Sequence, residues 1–212
     1  MYSDLSFYIL SCNVSVKYVA ERGEKMKNLV EPIKVKKDVE AVEQYLAKHS
    51  LRNQLIWVFG VNTGLRISDI LGLDVEQVRN KDTIDLIEKK TGKSKKIRLN
   101  NKLQKMIKQY LVERDKNYCI TGEEPLFIGK KHHRLDRSQV YRFINEACRE
   151  LNININAGCH SMRKVFGWFF YKKYNDIALL QSIFNHSSPE VTLRYIGITQ
   201  EEINTSYKNF EL

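Results

Sequence analysis

The stretch LRNQLIWVFGVNTGLRISD, residues 51–69, combines an apolar segment, a helix stop and a charged restart. Up to Val61, apolar residues occupy nearly every side, as is typical of a helix enclosed by other elements. Gly64 ends that helix, because glycine readily adopts the left-handed conformation found at helix C-termini. Arg66 and Asp69 follow within one turn of a new segment. The stretch therefore predicts a core helix and then a new short helix that carries Ile67, Ile70 and Leu71.

Helical periodicity dominates the chain on both sides of this stretch. Ile84 and Leu86, then Ile97 and Leu99, alternate around a turn near Gly92, which predicts a β-hairpin. Other helices are predicted to begin near Lys36, after the cap Asn100, at the cap Ser138, near Ser161, near Ile177 and at Ser188-Pro189, and a short strand is predicted at Leu126-Phe127-Ile128. We therefore expect an α+β fold that is mainly α-helical with a small antiparallel β-sheet.

The charge balance points to a polyanionic partner. The 212 residues include 35 Lys+Arg and 25 Asp+Glu, for a formal net charge of +10. Such a surplus favours nucleic acid, and a basic but merely solvated surface is the alternative. No apolar run approaches the ~20 residues that span a bilayer, and the apolar residues 5–10 follow Asp4 rather than basic residues. We expect a cytoplasmic protein that does not associate with membranes.

Metal and disulfide sites are not indicated by the sequence. The four cysteines are scattered and show no Cys-x-x-Cys spacing, so neither a zinc site nor a disulfide framework is predicted. No carboxylate cluster is seen either, which argues against a nuclease that uses two metal ions. We therefore expect no metal and no other cofactor.

Five short segments carry residues suited to phosphate chemistry. They are TGLRISD (63–69), KKTGK (89–93), HSMRK (160–164), FNHSSP (184–189) and LRYI (193–196). Each alone has a structural explanation, such as a helix cap, a solvated lysine or a core tyrosine. Together they supply a nucleophile, donors that stabilise a highly negative phosphorane, and an acid for the leaving oxygen.

The order and context of these segments resemble the catalytic domain of the tyrosine recombinase (phage integrase) family. The matching positions are Arg66, Lys90, His160, Arg163, His186 and Tyr195. The resemblance covers most of the chain, and we assign residues 32–212 to the catalytic domain. It implies the DNA breaking-rejoining fold and a site-specific recombinase or integrase. Such an enzyme cleaves and rejoins DNA strands through a 3′-phosphotyrosyl intermediate, without metal or ATP.

The resemblance also implies a role for each matching residue. Tyr195 attacks the scissile phosphate, and Arg66 and Arg163 hold the phosphate oxygens. Lys90 protonates the leaving 5′ oxygen, and Lys93 is the alternative for that role. Two arginines suit the first task because each offers a bidentate fork to phosphate oxygens.

The histidines and one carboxylate complete the predicted site. His160 helps to accept the proton of the tyrosine, and His186 donates a hydrogen bond to the phosphate. Asp69, about one helical turn after Arg66, is predicted to orient that arginine. Further DNA contacts are predicted at Lys93, Lys95, Lys96, Lys130, Lys131 and Arg134, which would follow the phosphate backbone.

The N-terminal region departs from the family pattern. Residues 1–31 are predicted to be a short extension without the full helical DNA-binding domain that members usually carry there, and an alternative translation start is predicted at Met26. The partner implied by the resemblance is double-stranded DNA, bound by a homotetramer whose C-terminal helices dock on neighbouring protomers. Ile203, Tyr207 and Phe210 lie on one face of that helix. We expect a monomer or dimer without DNA, and an accessory DNA-binding protein as a further partner.

Two other functions fit part of the pattern. One is a type IB topoisomerase, which uses the same tyrosine chemistry to relax supercoils. Against it, His160 stands where cellular topoisomerases of that class usually have lysine. The other is a DNA-binding remnant of a prophage integrase without catalysis, against which the intact catalytic set argues.

Overall fold

Helices make up most of the described part of the chain. The computed structural model describes residues 30–116, 124–129 and 133–211. The helices are α1 (Lys36–His49), α2 (Leu51–Thr63), α3 (Ile67–Ile70), α4 (Asn101–Asp115), α5 (Arg137–Glu150), α6 (Cys159–Tyr174), α7 (Ile177–Phe184), α8 (Pro189–Ile196) and α9 (Gln200–Lys208). The strands β1 (Thr83–Ile87) and β2 (Ser94–Arg98) pair antiparallel. The predicted fold class is confirmed.

Helix α2 lies at the centre of the main core. The Ser50 side chain accepts a hydrogen bond from the amide of Asn53 and so caps its N-terminus. Trp57 and Phe59 are fully buried, and burial of a large apolar side chain stabilises a fold by about 1.5–3 kcal/mol. Helices α1, α4 and α6 pack around α2. This packing places the C-terminal end of α2 beside the N-terminal half of α6.

The β-hairpin follows the predicted alternation. Ile84 pairs with Ile97 across the two strands, and Ile84 is fully buried while its neighbour Asp85 is exposed. The turn after β1 contains Gly92 at a φ of 67°. This conformation is costly for residues with a Cβ, so glycine allows the chain to reverse at this point.

Three local predictions are corrected by the structure. Leu126–Ile128 does not form a strand, and the described chain around it makes only isolated bridges, between Asp74 and Pro125 and between Ile128 and Arg134. Proline has no N–H group to extend a ladder at that point. The α5 helix is capped by Asp136, whose side chain accepts from the amide of Ser138. Helix α6 begins at Cys159, two residues before the predicted start.

A smaller apolar cluster holds the C-terminal helices on α6. It contains Leu180, Phe184 and Ile196, all fully buried. Gly167 allows the close approach, because a Cβ at this position would lie 2.7 Å from Ile196 and 2.8 Å from Phe184. The cluster fixes α8, which carries Tyr195, against the helix that carries His160 and Arg163.

Some predictions concern residues outside the described ranges. These are residues 1–29 of the predicted extension, which include the alternative start Met26, and the predicted DNA contacts Lys130 and Lys131. Within the described ranges, no helix has both the length and the apolar character needed to cross a bilayer.

Candidate active site

The C-terminal end of α2 positions the first arginine. Gly64 has a φ of 62°, and a Cβ there would lie 2.4 Å from the Phe166 ring, so the position requires glycine. The chain then extends through Arg66, which precedes α3. The Arg66 Nη1 atom lies 2.9 Å from Glu88 Oε2, and the Arg66 side chain keeps 14% of its surface exposed. The guanidinium is thus fixed by the buried Glu88 carboxylate, while part of its side chain remains accessible to solvent.

Arg163 is held by two backbone carbonyls. Its Nη1 atom donates to the Gly64 carbonyl, and its Nη2 atom donates to the Phe184 carbonyl at 2.9 Å. The guanidinium carbon also lies 4.3 Å from the centre of the Phe184 ring. Arg163 is 2% exposed. Because three elements fix it, this arginine is placed before any ligand arrives.

Tyr195 lies on α8 beside these groups. Its hydroxyl oxygen is 3.5 Å from His160 Nδ1, and its ring lies edge-on to Phe184 and His186 at 5.5 and 5.0 Å. Burial raises the pKa of the phenol above its ordinary value, and the charge of Arg163 offsets part of that rise. The hydroxyl is therefore protonated at neutral pH and requires a base to become a nucleophile.

His160 has the electrostatic character of such a base. Burial lowers its pKa, and the positive charges of Arg137 and Arg163 lower it further. The imidazole is thus neutral at neutral pH, and one ring nitrogen has a free lone pair. The long contact with Tyr195 is compatible with this role, since catalytic hydrogen bonds often shorten only when substrate binds.

His186 is neutral for similar reasons. Burial and the charges of Arg163, Arg66 and Lys90 lower its pKa to about 4. Its Nδ1 atom lies 3.1 Å from the hydroxyl oxygen of Thr192. The one hydroxyl hydrogen of Thr192 goes either to His186 Nδ1 or to the Ser188 carbonyl, which lies 3.2 Å away. When it goes to His186, the neutral ring carries its own N–H at Nε2, where it can donate to a phosphate oxygen.

His186 is expected to titrate near pH 4 in the free protein. Unfolded chains take up this proton near pH 6.5, so the contribution of His186 to stability is complete above that pH. It is lost as the pH falls from 6.5 towards 4. Histidine ring signals followed by NMR against pH test this, with His186→Gln used for assignment. Titration of His186 near 6.5 would contradict the described environment.

Thr192 is expected to hold the His186 ring. Thr192 is fully buried, three residues before the tyrosine, and the Ser188 carbonyl is the alternative acceptor of its one hydroxyl hydrogen, at 3.2 Å. Thr192→Val removes the hydroxyl and is expected to slow DNA cleavage about 10-fold, in line with the loss of one neutral hydrogen bond. Thr192→Ser keeps the hydroxyl and is the matched control. Equal rates for the two variants would show that the contact has no part in cleavage.

Lys90 lies on the β-hairpin close to both histidines. Its side chain is exposed, and its charge contributes to lowering the pKa of His160 and of His186. The alternative, Lys93, donates to the side-chain oxygen of Asn185 at 3.0 Å. The Lys93 ammonium thus has an acceptor within the protein, whereas none is described for the ammonium of Lys90. This difference favours Lys90 as the group that meets the substrate.

The carboxylate that pairs with Arg66 is not the predicted one. Glu88 takes that position at 2.9 Å, and Asp69 Oδ1 instead accepts a hydrogen bond from the backbone amide of Lys89 at 3.0 Å. Asp69 thus fixes the hairpin rather than the arginine. Sequence reasoning missed Glu88, although the alternation of Ile84 and Leu86 puts residue 88 on the same buried face of the strand.

The predicted DNA contacts fall into two groups. Lys95 donates to the Ile183 carbonyl at 2.7 Å, and Arg134 donates to the Leu71 and Leu73 carbonyls and to Asp74. These two cations serve the fold in this structure. Lys96 is different. Its side chain is 73% exposed, and its Nζ atom lies 4.0 Å from Oδ1 of the similarly exposed Asp85, which is a long distance for an ion pair. Within the described ranges, no group of three His, Cys, Asp or Glu residues is arranged to hold a metal ion.

The fold and the site define the catalytic domain of a tyrosine recombinase, and comparison with known proteins gives the family. Residues 31–202 match the model of the phage integrase family. The chain therefore belongs to the phage integrase family, and the prediction from its motifs is confirmed.

Three of the matching proteins carry the word recombinase in their names. "Probable integrase/recombinase YoeC" of Bacillus subtilis is 39% identical over 184 residues, which cover 86% of this chain and 98% of YoeC. "Tyrosine recombinase XerH" of Campylobacter jejuni is 25% identical over 184 residues, 86% of this chain and 51% of XerH. The crystal structure of XerA recombinase superimposes with a TM-score of 0.70 at 18% identity, covering 88% of this chain and 68% of XerA. The chain thus spans nearly all of YoeC and about half of XerH.

Proposed function

We propose that this protein is a site-specific DNA recombinase that cuts and rejoins strands through a covalent bond to Tyr195. The observation that carries the proposal is the contact between the Tyr195 hydroxyl and His160, beside the fixed guanidinium of Arg163. A phenol next to a neutral base and a buried cation is arranged for nucleophilic attack on an anion. We also propose that residues 32–212 form the catalytic domain.

The cleavage step uses these groups in a defined order. The Tyr195 oxygen attacks the phosphorus and forms a P–O bond, while its proton passes to His160. The P–O bond to the 5′ oxygen breaks, and Lys90 gives that oxygen a proton. Arg66 and Arg163 stabilise the charge that develops on the phosphate oxygens. The product is a 3′-phosphotyrosyl ester and a free 5′-hydroxyl.

Rejoining is the reverse of cleavage. A 5′-hydroxyl attacks the phosphotyrosyl ester and returns its proton to the neutral amine of Lys90, while the proton taken up by His160 returns to the departing Tyr195. Because one phosphate ester is exchanged for another, no ATP hydrolysis is required. Every proton transfer in the cycle is assigned to a side chain of this protein.

The proposed partner is double-stranded DNA. The net charge of +10 supports this, as does the exposed Lys96 on strand β2 of the hairpin. A solved relative is XerH "bound to palindromic difH substrate", which matches with a TM-score of 0.68 at 20% identity over 86% of this chain and 54% of XerH. We place the reaction in the cytoplasm on chromosomal DNA, with an accessory DNA-binding protein as a further partner.

We propose assembly as a homotetramer on DNA through helix α9. Tyr207 in this helix and Phe210, two residues after its end, are 77% and 69% exposed. Large apolar side chains at such exposure favour contact with another surface. Light scattering with and without DNA would measure the number of protomers.

Strand exchange distinguishes the proposed function from its alternatives. The protein is incubated with two linear duplexes that carry tiled segments of the DNA flanking its gene, and recombinant lengths are scored. A supercoiled plasmid with the same segments is treated in parallel. We expect recombinant products. Relaxation without exchange would indicate a topoisomerase, and binding without a covalent adduct would indicate a remnant.

A further inference from the structure

Glu88 stands at the base of the turn that carries Lys90. Its amide donates to the Lys93 carbonyl at 2.9 Å, and its own carbonyl accepts from the Gly92 amide at 2.8 Å. The side chain is 2% exposed. Its Oε2 atom accepts from the Thr91 hydroxyl at 2.8 Å. The residue therefore closes the turn with its backbone hydrogen bonds, and its buried carboxylate binds the Thr91 hydroxyl within the same turn.

The same carboxylate contacts cations from two other places. Arg66 Nη1 lies 2.9 Å from Oε2, and Lys95 Nζ lies 3.7 Å from Oε1. Lys95 in turn donates to the Ile183 carbonyl near the end of α7. A buried carboxylate is destabilising unless such partners compensate it. Glu88 thus joins the hairpin turn, the first arginine and the C-terminal end of α7.

Lys90 lies between two anchored residues. On one side, the Lys89 amide donates to Asp69. On the other side, the Thr91 hydroxyl donates to Glu88. The backbone of Lys90 is therefore fixed from both directions while its side chain remains exposed. Its charge is close enough to His160 and His186 to contribute to lowering the pKa of both imidazoles.

We propose that Glu88 is a positioning residue for the cleavage step, one that holds Lys90 where it protonates the leaving 5′ oxygen. This inference rests on the proposed function. The carboxylate fixes the turn onto Arg66, so the acid and one phosphate-binding arginine keep a constant separation. Errors of about 1 Å in such an arrangement cost about 100-fold in rate.

A DNA substrate in which sulfur replaces the leaving 5′ oxygen distinguishes a role in positioning the general acid from a role in binding the phosphate. A 5′-thiolate leaves without a proton, because thiols are far stronger acids than alcohols, so a displaced general acid no longer limits cleavage. Glu88→Gln keeps the shape of the side chain and removes its charge. We expect it to cleave the normal substrate about 10- to 100-fold more slowly and the sulfur substrate at nearly the wild-type rate. Lys90→Ala is expected to show the same recovery.

Controls separate the possible failures. Asp85→Asn removes an exposed carboxylate from the same hairpin and is expected to leave both rates unchanged, and Glu88→Asp, which keeps the charge, is expected to recover part of the normal rate. Equal slowing of Glu88→Gln on both substrates, or no slowing, would overturn the inference. Absence of any adduct from the wild-type protein on either substrate would instead overturn the proposed function.

Discussion

Tyr195→Phe is expected to abolish covalent attachment of the protein to DNA. The change removes one oxygen, the atom that forms the bond to phosphorus, and no neighbouring hydroxyl takes its place in the proposed step. We expect the cleavage rate on a nicked duplex to fall at least about 1000-fold, as for other enzymes that lose a nucleophile. Denaturing gel electrophoresis of labelled DNA after incubation measures the adduct.

The control for this variant is Tyr141→Phe. Tyr141 is 51% exposed and lies on α5, outside the proposed site and outside helix α9. Adduct formation by Tyr141→Phe is expected at the wild-type level, and DNA affinity is expected to be unchanged in Tyr195→Phe. A Tyr195→Phe protein that still forms the adduct would refute the assignment of the nucleophile.

Arg163→Ala is expected to damage both catalysis and stability. Its guanidinium holds two carbonyls, those of Gly64 and Phe184, in a buried setting. Removal leaves both acceptors unpaired, which is expected to lower the free energy of unfolding by about 2–5 kcal/mol. The transition state also loses a cation, so cleavage by the folded fraction is expected to fall about 100- to 1000-fold. Urea unfolding and single-turnover cleavage measure the two effects.

Arg194→Ala is the matched control for that variant. Arg194 is exposed and stands next to the tyrosine on the same helix, so its loss is expected to change stability by less than about 0.5 kcal/mol. Arg163→Ala with wild-type stability would show that the two carbonyl contacts contribute little. Wild-type cleavage by Arg163→Ala would remove the arginine from the site.

The residues proposed for catalysis stand out in the sequence because each belongs to a short, distinctive segment. Gly64 and Arg66 illustrate this. The glycine that ends α2 in the left-handed conformation and the arginine are only two residues apart in the sequence. His160 and Arg163 are three apart, so one turn of α6 brings them to the same face. Such local relations are encoded within a few residues and are visible before any folding is considered.

The contacts between distant segments were not predictable in the same way. Glu88 and Asp69 are both carboxylates near Arg66 in the fold. Asp69 was predicted as its partner because it is only three residues away in the sequence, but Glu88 forms the ion pair. Lys95 and Arg134 resemble free surface cations in sequence, yet the structure engages them with backbone carbonyls. Which cation meets which acceptor depends on packing between elements, and a single sequence does not specify it.

The central claim is that Tyr195 forms the covalent bond, and mass spectrometry of the trapped adduct tests it most directly. The tryptic peptide 195–208 contains both Tyr195 and Tyr207, so fragmentation must locate the nucleotide within it. We predict a nucleotide attached through a 3′-phosphate to Tyr195. Attachment to Tyr207 or to any other residue, or a 5′-phosphate linkage, would contradict the account.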